Sequence, residues 1–465
     1  MTIFTRLFAL IATLLIGFPG MALAHASEGG FVLLLPTTLY IAGGVLSVVL
    51  TVLLVLVLPE RASLRLFLPL PLMHIRSVGI PVLTSTVAFI FLMILIWTGL
   101  VGSHDPKHNL LPLTVWSIWW ISFVVLQGVF GDLWRWLNPW MGPYFIVRKL
   151  LGLQPIARLP VWLGHWPALL GFLAFAAVLL AHPAPSDPEG LAIMVAGYWL
   201  IQFIAMLIFG PKWLRRGEGL SVLLNNYARV GLLAKRGGRL RIGVPGWQNI
   251  RRPATSVSLA IFMIVMLGVG SFDGLNETFW WFGKIGINPL QFPGRSAVIT
   301  ENLSGLILAN LLLVPTFALA VYCGVLLAGE RSSFKRAFLT FAPAILPIAL
   351  GYHFGHYLPG FLVDAQYTLK AASDPLDNGA DLLGLGRFYV TTGFFNTQAT
   401  VRAIWLTQAG AVVIGHVLAI LLSHALALQL YGTHNKAIRS QIPLATFMVL
   451  YTFFGLWLLA SPRGV

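Results

Sequence analysis

Ten apolar runs, each long enough to cross a lipid bilayer or nearly so, constrain the fold of this chain more than any other feature of its sequence. One crossing takes about 20 apolar residues. Because unpaired backbone groups are too costly in lipid, the runs predict an all-α bundle of about ten transmembrane helices. They lie at residues 31–58, 82–101, 110–130, 161–181, 191–209, 256–270, 304–327, 337–358, 401–429 and 442–459.

The composition agrees with a bilayer as the main solvent of the chain. Hydrophobic residues make up 58% of the sequence and charged residues only 10%, whereas a soluble domain carries about 25% charged residues. A soluble protein of this composition could not cover its own surface. Ten spans with short connections account for the length of 465 residues and leave no room for a large soluble domain.

The first 24 residues form a separate pattern. Arg6 precedes an apolar run over residues 7–18, and the small residues Ala22 and Ala24 follow it. A basic start, a short apolar core and a small-x-small end are typical of a secretory signal peptide; an uncleaved signal anchor is the alternative. Cleavage after Ala24 predicts that His25 begins the mature protein and that residues 25–465 form a single transmembrane helical domain.

The basic residues fall mainly on one side of the predicted bundle. With the mature N-terminus outside, the inside loops hold 22 of the 30 lysines and arginines but only four of the 15 acidic residues. This asymmetry predicts a bacterial inner-membrane protein with both mature ends in the periplasm. The net charge of +15 therefore does not indicate a nucleic-acid partner. The basic loop over residues 210–253 predicts contact with anionic lipid head groups.

Histidines provide the first candidate site. His353 and His356 are three residues apart near the outer end of the eighth run, so on a helix both imidazoles can aim at one ion. Imidazole binds zinc, copper, iron and nickel alike; the alternative is two interfacial histidines that hydrogen-bond to their neighbours. His25 would add a terminal amine and an imidazole, unless its place after the cleavage site is chance. Cys323 is the single cysteine, which excludes a thiolate cluster.

Two outer carboxylates and two intramembrane histidines complete the candidates. Asp105 lies between the second and third runs, and Asp273 lies at the exit of the sixth. Such carboxylates can orient a metal-ligating histidine or accept a proton from water, although most outer acids are simply solvated. His416 and His424 lie inside the ninth run, where ionisable residues are costly. They are candidates for a proton relay or haem ligation, with a polar pair between packed helices as the alternative.

Seven strings of residues carry a family resemblance. Together they resemble bacterial polytopic membrane proteins known as fenitrothion hydrolases, over nearly the whole mature chain. The resemblance implies hydrolysis of the aryl ester bond of an organophosphorothioate, as a main or a side activity. The family has His-Asp in the ninth span where this chain has His424 and Ala425, so no role is expected for that acid. The strings are DPKHNLLP (105–112), GDLWRWLNPW (131–140), FDGL (272–275), PIALGYHFGHY (347–357), SDP (373–375), GHV (415–417) with His424, and MVLYTFFGLW (448–457).

These features predict a metal-dependent hydrolase at the periplasmic face. A divalent transition metal, zinc or copper, held by His353, His356 and His25 would lower the pKa of a bound water, with Asp105 or Asp273 as base or orienting group. The same histidines would serve a copper transporter, or an assembly factor that passes metal to a partner subunit in the membrane or periplasm. The chain lacks the Met-rich tract expected for Cu(I). A haem-binding electron carrier is the third class considered.

Overall fold

The computed structural model describes residue 32 and residues 35–74, 80–291, 294–330 and 333–463. The predicted signal peptide and His25 lie outside these residues. Within them, nine helices are long and apolar enough to span a membrane. The prediction of an all-α, multi-pass membrane protein is therefore confirmed at this level.

The elements follow one another in the order that the apolar runs predict. Proline or a polar capping residue precedes many of them; for example, the Asp187 carboxylate accepts a hydrogen bond from the Gly190 amide at the start of α8. In chain order they are α1 (Thr37–Val57), α2 (Glu60–Leu66), β1 (Leu70–His74), α3 (Ile80–Val101), α4 (Leu110–Phe130), α5 (Trp134–Leu137), α6 (Met141–Leu151), α7 (Trp166–Ala181), α8 (Pro188–Phe209), α9 (Lys212–Arg216), α10 (Gly219–Ala228), β2 (Leu233–Arg236), β3 (Arg239–Ile242), α11 (Val257–Asn276), α12 (Phe279–Lys284), α13 (Ile299–Leu327), α14 (Phe334–Phe341), α15 (Leu346–Ser373), α16 (Gln398–Tyr431) and α17 (His434–Ala460).

The fourth predicted span, α7, is shorter than the others because Gly164 adopts a positive φ of 53° and separates it from residues 161–163. Its 16 residues extend about 24 Å. It nevertheless connects the two ends of the bundle. His165 Nδ1 lies 3.0 Å from Ser256 Oγ, just before α11. At the other end the Leu180 carbonyl accepts a hydrogen bond from the Asn302 side chain, near the start of α13.

The two ends of the bundle differ in charge and are named accordingly. The end at which α11 begins is the basic end, since the Lys- and Arg-rich connections such as residues 210–253 lie there. The end at which α11 finishes is the acidic end, and it carries Asp364, Asp374, Asp377 and Asp381 in and after α15. These names describe the molecule and do not assign an orientation in a membrane.

Helix α11 is the innermost span, and it carries the candidate Asp273. It is enclosed by α7, α13, α15 and α17, so that most of its residues are buried. On the far side of α15, glycines allow close contact with α16: a Cβ on Gly351 would lie 2.4 Å from the Ala411 carbonyl oxygen. Small residues at helix crossings are typical of membrane bundles. This packing holds α15 between α11 and α16.

The segment over residues 210–253 is more structured than a surface loop. Helix α10 within it is buried, and the Gln127 side chain donates a 3.0 Å hydrogen bond to the Leu224 carbonyl. The same segment forms a hairpin of β2 and β3, and β3 also pairs antiparallel with β1. This small sheet is an addition to the predicted all-helical fold, because its strands are too short to show a clear alternating pattern in the sequence.

Candidate functional site

A cluster of polar side chains lies inside the bundle where α11 packs against α15. Asp273 comes from the last turn of α11, and His353, His356 and Tyr357 come from α15. Asp273 and the two histidines are each no more than 7% exposed. Because ionisable groups are costly at membrane depth, a buried cluster of this kind is a candidate functional site.

Asp273 is the centre of the cluster. Its Oδ2 accepts a hydrogen bond from the Tyr357 hydroxyl and lies 3.3 Å from His356 Nε2. One carboxylate oxygen therefore contacts two successive residues of α15. This contact orients the His356 ring, whose Nδ1 has no hydrogen-bond partner within the described chain.

Glu277 is the third member of a possible ligand set. It follows Asp273 by four residues, so both carboxylates lie on one face of the chain at the end of α11. Asp273, Glu277 and His356 each offer one ligand atom within 4.8 Å of the other two. Glu277 is the most exposed of the three, and its Oε2 lies 3.4 Å from Arg463 Nη1. The site thus opens at the acidic end of the bundle.

The side chain of His353 faces a different helix from the side chain of His356. Its Nε2 lies 2.9 Å from the Trp120 carbonyl oxygen, within the stretch of α4 that winds as a π-helix (Thr114–Phe123). Such stretches often mark functional sites. The ring of Tyr357 packs against both imidazoles, at 4.8 Å from His353 and 4.7 Å from His356. In the structure the two histidines face different helices, His353 towards α4 and His356 towards Asp273 on α11, and their shared binding of one ion stays a prediction.

A small cavity adjoins the cluster. It has a volume of about 10 Å³ and is lined in part by Asp273, Tyr352 and His356, which gives room for roughly one water. A Cβ on Gly274 would lie 1.8 Å from the Tyr352 hydroxyl oxygen and 3.6 Å from His356 Nδ1. Like that nitrogen, the Tyr352 hydroxyl has no partner among the described residues. Two buried polar atoms without partners near one point indicate a place for a polar ligand or water.

Helix α10 closes the cluster from the side of the basic end. The Tyr227 ring lies 6.0 Å from the His353 ring and lines the same cavity. Burial raises the pKa of the Tyr227 hydroxyl, so it stays protonated at neutral pH. Part of the segment predicted to face lipid head groups therefore contributes a wall of the site.

Asp105, the other predicted catalytic carboxylate, is not part of the cluster. It is exposed in the loop after α3, and its Oδ1 accepts a hydrogen bond from the Lys107 amide. That loop is held to the far end of α15 by the ion pair between Lys107 and Asp364 at 2.6 Å. Asp364 is eight residues beyond His356, about 12 Å along the helix. Asp105 therefore stabilises the loop after α3 and is not in contact with Asp273.

His416 and His424 are buried, as their positions in the ninth run predict, but they do not join the cluster. His416 Nδ1 lies 2.8 Å from the Val412 carbonyl oxygen of its own helix, and its Nε2 has no partner within the described residues. The His424 ring lies 5.9 Å from the His434 ring, and neither of its nitrogens is hydrogen-bonded there. The two form separate polar positions between the site and the basic end.

Sequence reasoning missed several groups that shape the site. Tyr357 could have been found from the sequence, because it directly follows His356 and can donate a hydrogen bond. Glu277 was not missed, since its spacing of four residues from Asp273 predicts that the two carboxylates share a helix face, although Asp273 was the preferred candidate. Tyr227 and the Trp120 carbonyl give no signal in the sequence, since their positions depend on how α10 and the π-helical stretch pack.

No family model, curated protein or solved structure matches this chain. The resemblance to fenitrothion hydrolases therefore stays a prediction from the seven strings of residues.

Proposed function

We propose that this protein is a membrane-embedded, metal-dependent hydrolase of apolar phosphotriesters, with a divalent transition metal held by Asp273, Glu277 and His356. The observation that carries the proposal is the convergence of three ligand atoms within 4.8 Å in a largely buried site. The predicted likeness to fenitrothion hydrolases supplies the substrate class. His353 has a supporting role in this proposal, and His25 is not required.

The donor set fits such a metal. Carboxylate oxygens and an imidazole nitrogen are common zinc ligands, and catalytic zinc sites combine three protein ligands with one open position. Copper also accepts imidazole and is the second choice. The hydrogen bond from Tyr357 to Asp273 is the type of outer contact that orients a ligating carboxylate. When bound, the ion would supply Lewis acidity and lower the pKa of a coordinated water.

The residues around the donors have separate tasks in this proposal. With Nε2 of His356 on the metal, its unpartnered Nδ1 would carry the ring proton and could donate a hydrogen bond to a polar group in the cavity. Arg463, beside Glu277, places positive charge near the opening, where negative charge would develop on a phosphoryl oxygen. The rings of Trp120, Tyr352 and Tyr357 line the cavity and keep bulk water out.

The substrate must reach the cluster from the acidic end. A cavity of about 10 Å³ has no room for a triester, whereas Glu277 and Arg463 are partly exposed. An apolar triester would partition into the bilayer and approach this edge laterally. The leaving aryl group would then stay in lipid while the charged product leaves toward water.

Metal analysis of the purified full-length protein tests the proposal. We expect about one zinc or copper ion per chain, and we expect Asp273→Asn and Glu277→Gln each to lower the metal content strongly, since each removes a charged ligand. Glu301→Gln is the matched control, because this acid lies at the same end near the start of α13 and forms no ligand group with other described residues. Equal metal content in all four proteins, or none in any, would refute the proposed site.

A metal transporter is the second candidate, favoured by the buried imidazoles of His416 and His424. Both have nitrogens without partners among the described residues and lie on α16 between the site and the basic end, where a translocated ion would need ligands. An assembly factor that passes metal to a partner subunit would use the same site without this path.

The variants His416→Leu and His424→Leu separate hydrolase from transporter. Leucine fills a similar volume and removes an unsatisfied polar group, so folding should be retained. For a hydrolase we expect triester hydrolysis by both variants to match the wild type. If both variants lose metal flux into proteoliposomes, and neither they nor the wild type hydrolyse triesters, the transporter would be favoured instead.

The location of the protein in the cell, its orientation in the membrane and its lipid partners are part of the same proposal. We propose a bacterial inner-membrane location with a cleaved signal peptide and the acidic end in the periplasm, since the basic loops would then lie inside. Anionic lipid head groups would contact the exposed cations of residues 210–253.

A further inference from the structure

A groove of about 530 Å³ lies at the basic end of the bundle, far from the polar cluster. Its walls come from the stretch that precedes α11, from α14 and from the last turns of α16. The Ala254 amide donates a 2.9 Å hydrogen bond to the Leu339 carbonyl, which ties the first two walls together. The volume lies in the range of ligand-binding pockets.

The groove combines an apolar floor with a cationic rim. Pro253, Leu339, Leu426 and Leu430 supply apolar surface. Lys335 and Arg336 on α14 line it as well, while the opposite face of α14 is buried through Ala337, Phe338 and Phe341. None of the described residues that line the groove is acidic.

The rim cations lack counterions in the described part of the chain. Lys335 and Arg336 are exposed, and neither side chain forms an ion pair or a hydrogen bond with the described residues. The nearby acid Glu330 is already paired with Lys436 at 2.7 Å. Such a rim has charge available for an external anion.

The neighbouring arginines add to the positive potential. Burial, followed by the charges of Arg252 and Arg236, lowers the pKa of Arg229 to about 9. Arg251 and Arg252 lie between Ile250 and Pro253, both of which line the groove. The charges of Arg135 and Arg252 act on the carboxylate of Asp132, and Arg251 forms no ion pair with a described residue.

We propose that this groove binds one anionic phospholipid, with the head-group phosphate at Lys335 and Arg336 and the acyl chains along Leu426 and Leu430. A soluble anion would need only the rim, whereas a phospholipid matches both the rim and the floor. Basic pockets between transmembrane helices are known to hold anionic head groups. The inference is independent of the metal site. Residues 210–253 were proposed to contact lipid head groups in general, whereas this inference names one groove, to which α14 and α16 also contribute walls.

Native mass spectrometry of the full-length protein in detergent tests the inference, with phosphatidylglycerol, phosphatidylcholine and glycerol phosphate as probes. We expect one phosphatidylglycerol per chain, bound in preference to phosphatidylcholine, and no retention of glycerol phosphate. The double variant Lys335→Gln/Arg336→Gln should weaken phosphatidylglycerol binding about 30-fold, on the usual contribution of each cation near anionic lipid.

The control is Arg61→Gln/Arg65→Gln, which removes the same charge from exposed positions of α2 at the same end, outside residues 210–253 and outside the groove. It should bind phosphatidylglycerol as the wild type does. An equal loss in both double variants would mean that charge alone attracts lipid, and the groove would then not be a site. Binding of glycerol phosphate as strong as that of the lipid would assign the rim to a soluble anion and also overturn the inference.

Discussion

Replacement of His356 by alanine is expected to remove the bound metal and to lower triester hydrolysis by at least about 100-fold. Loss of a group that merely orients a metal ligand typically costs 10–100-fold, and His356 is proposed as a ligand itself. Its Nε2 lies 3.3 Å from Asp273 Oδ2, so the substitution also leaves that carboxylate with Tyr357 as its remaining partner in the cluster. Metal content and the initial rate of hydrolysis would be measured on the same preparations.

His353→Ala is the matched comparison, since it changes the same residue type, one turn away on the same helix and equally buried. We expect the metal to be retained, because His353 Nε2 faces the Trp120 carbonyl and not the carboxylates. The variant leaves a buried acceptor unpaired, which costs about 1–3 kcal/mol of stability. His353→Gln, which can still donate a hydrogen bond, would separate this cost from any effect on metal.

The pair of variants also separates two arrangements of the site. If His353→Ala and His353→Gln lose the metal as completely as His356→Ala does, the two histidines share the ion, as the spacing in the sequence predicts. If neither histidine affects the metal, the ligand set proposed here is wrong. Retention in the His353 variants and loss in His356→Ala is the outcome that the geometry supports.

Much of the fold could be predicted from the sequence, because lipid imposes a simple rule on the backbone. Each run of about 20 apolar residues must form a helix, and α8 illustrates this, since Pro188–Phe209 contains the apolar run over residues 191–209. The short sheet and the buried helix α10 could not be predicted in the same way. Residues 210–253 contain ten basic residues, and this charge obscures the apolar stretch over residues 219–224, which packs inside the bundle.

For the site, the sequence could predict which ionisable residues take part, but not how they are arranged. Asp273 and His356 stood out as ionisable groups near predicted helix ends, and the structure brings them into contact. Which of His353 and His356 faces the carboxylates depends on the rotation of α15, and that rotation follows from its contacts with α16 through residues such as Gly351. For Asp105, its place in a distinctive string of residues gave no information on its distance from the cluster.

Among substitutions that add one methyl group at the site, Gly274→Ala is expected to lower the stability of the protein most. The added Cβ would lie 1.8 Å from the Tyr352 hydroxyl oxygen, which is far inside any allowed contact, and Tyr352 is 3% exposed and has little room to move. Overpacking in a dense core typically costs 1–3 kcal/mol. The expected result is a clear fall in the thermal unfolding temperature in detergent, together with loss of metal because His356 Nδ1 lies 3.6 Å from the same point.

Two further variants test whether that overlap is the cause. Gly270→Ala lies one turn earlier on α11, where a Cβ would meet Tyr352 Cδ1 at an ordinary 3.6 Å, so its unfolding temperature should stay near that of the wild type. The double variant Gly274→Ala/Tyr352→Phe removes the overlapping oxygen and leaves the Tyr352 Cζ position 3.1 Å from the new methyl, a tight contact that small shifts can relieve. It should therefore recover much of the lost stability. If Gly270→Ala were as damaging as Gly274→Ala, or if the double variant recovered nothing, α11 would tolerate no added side chain on this face for another reason. The glycine would then not serve to leave space between Tyr352 and His356.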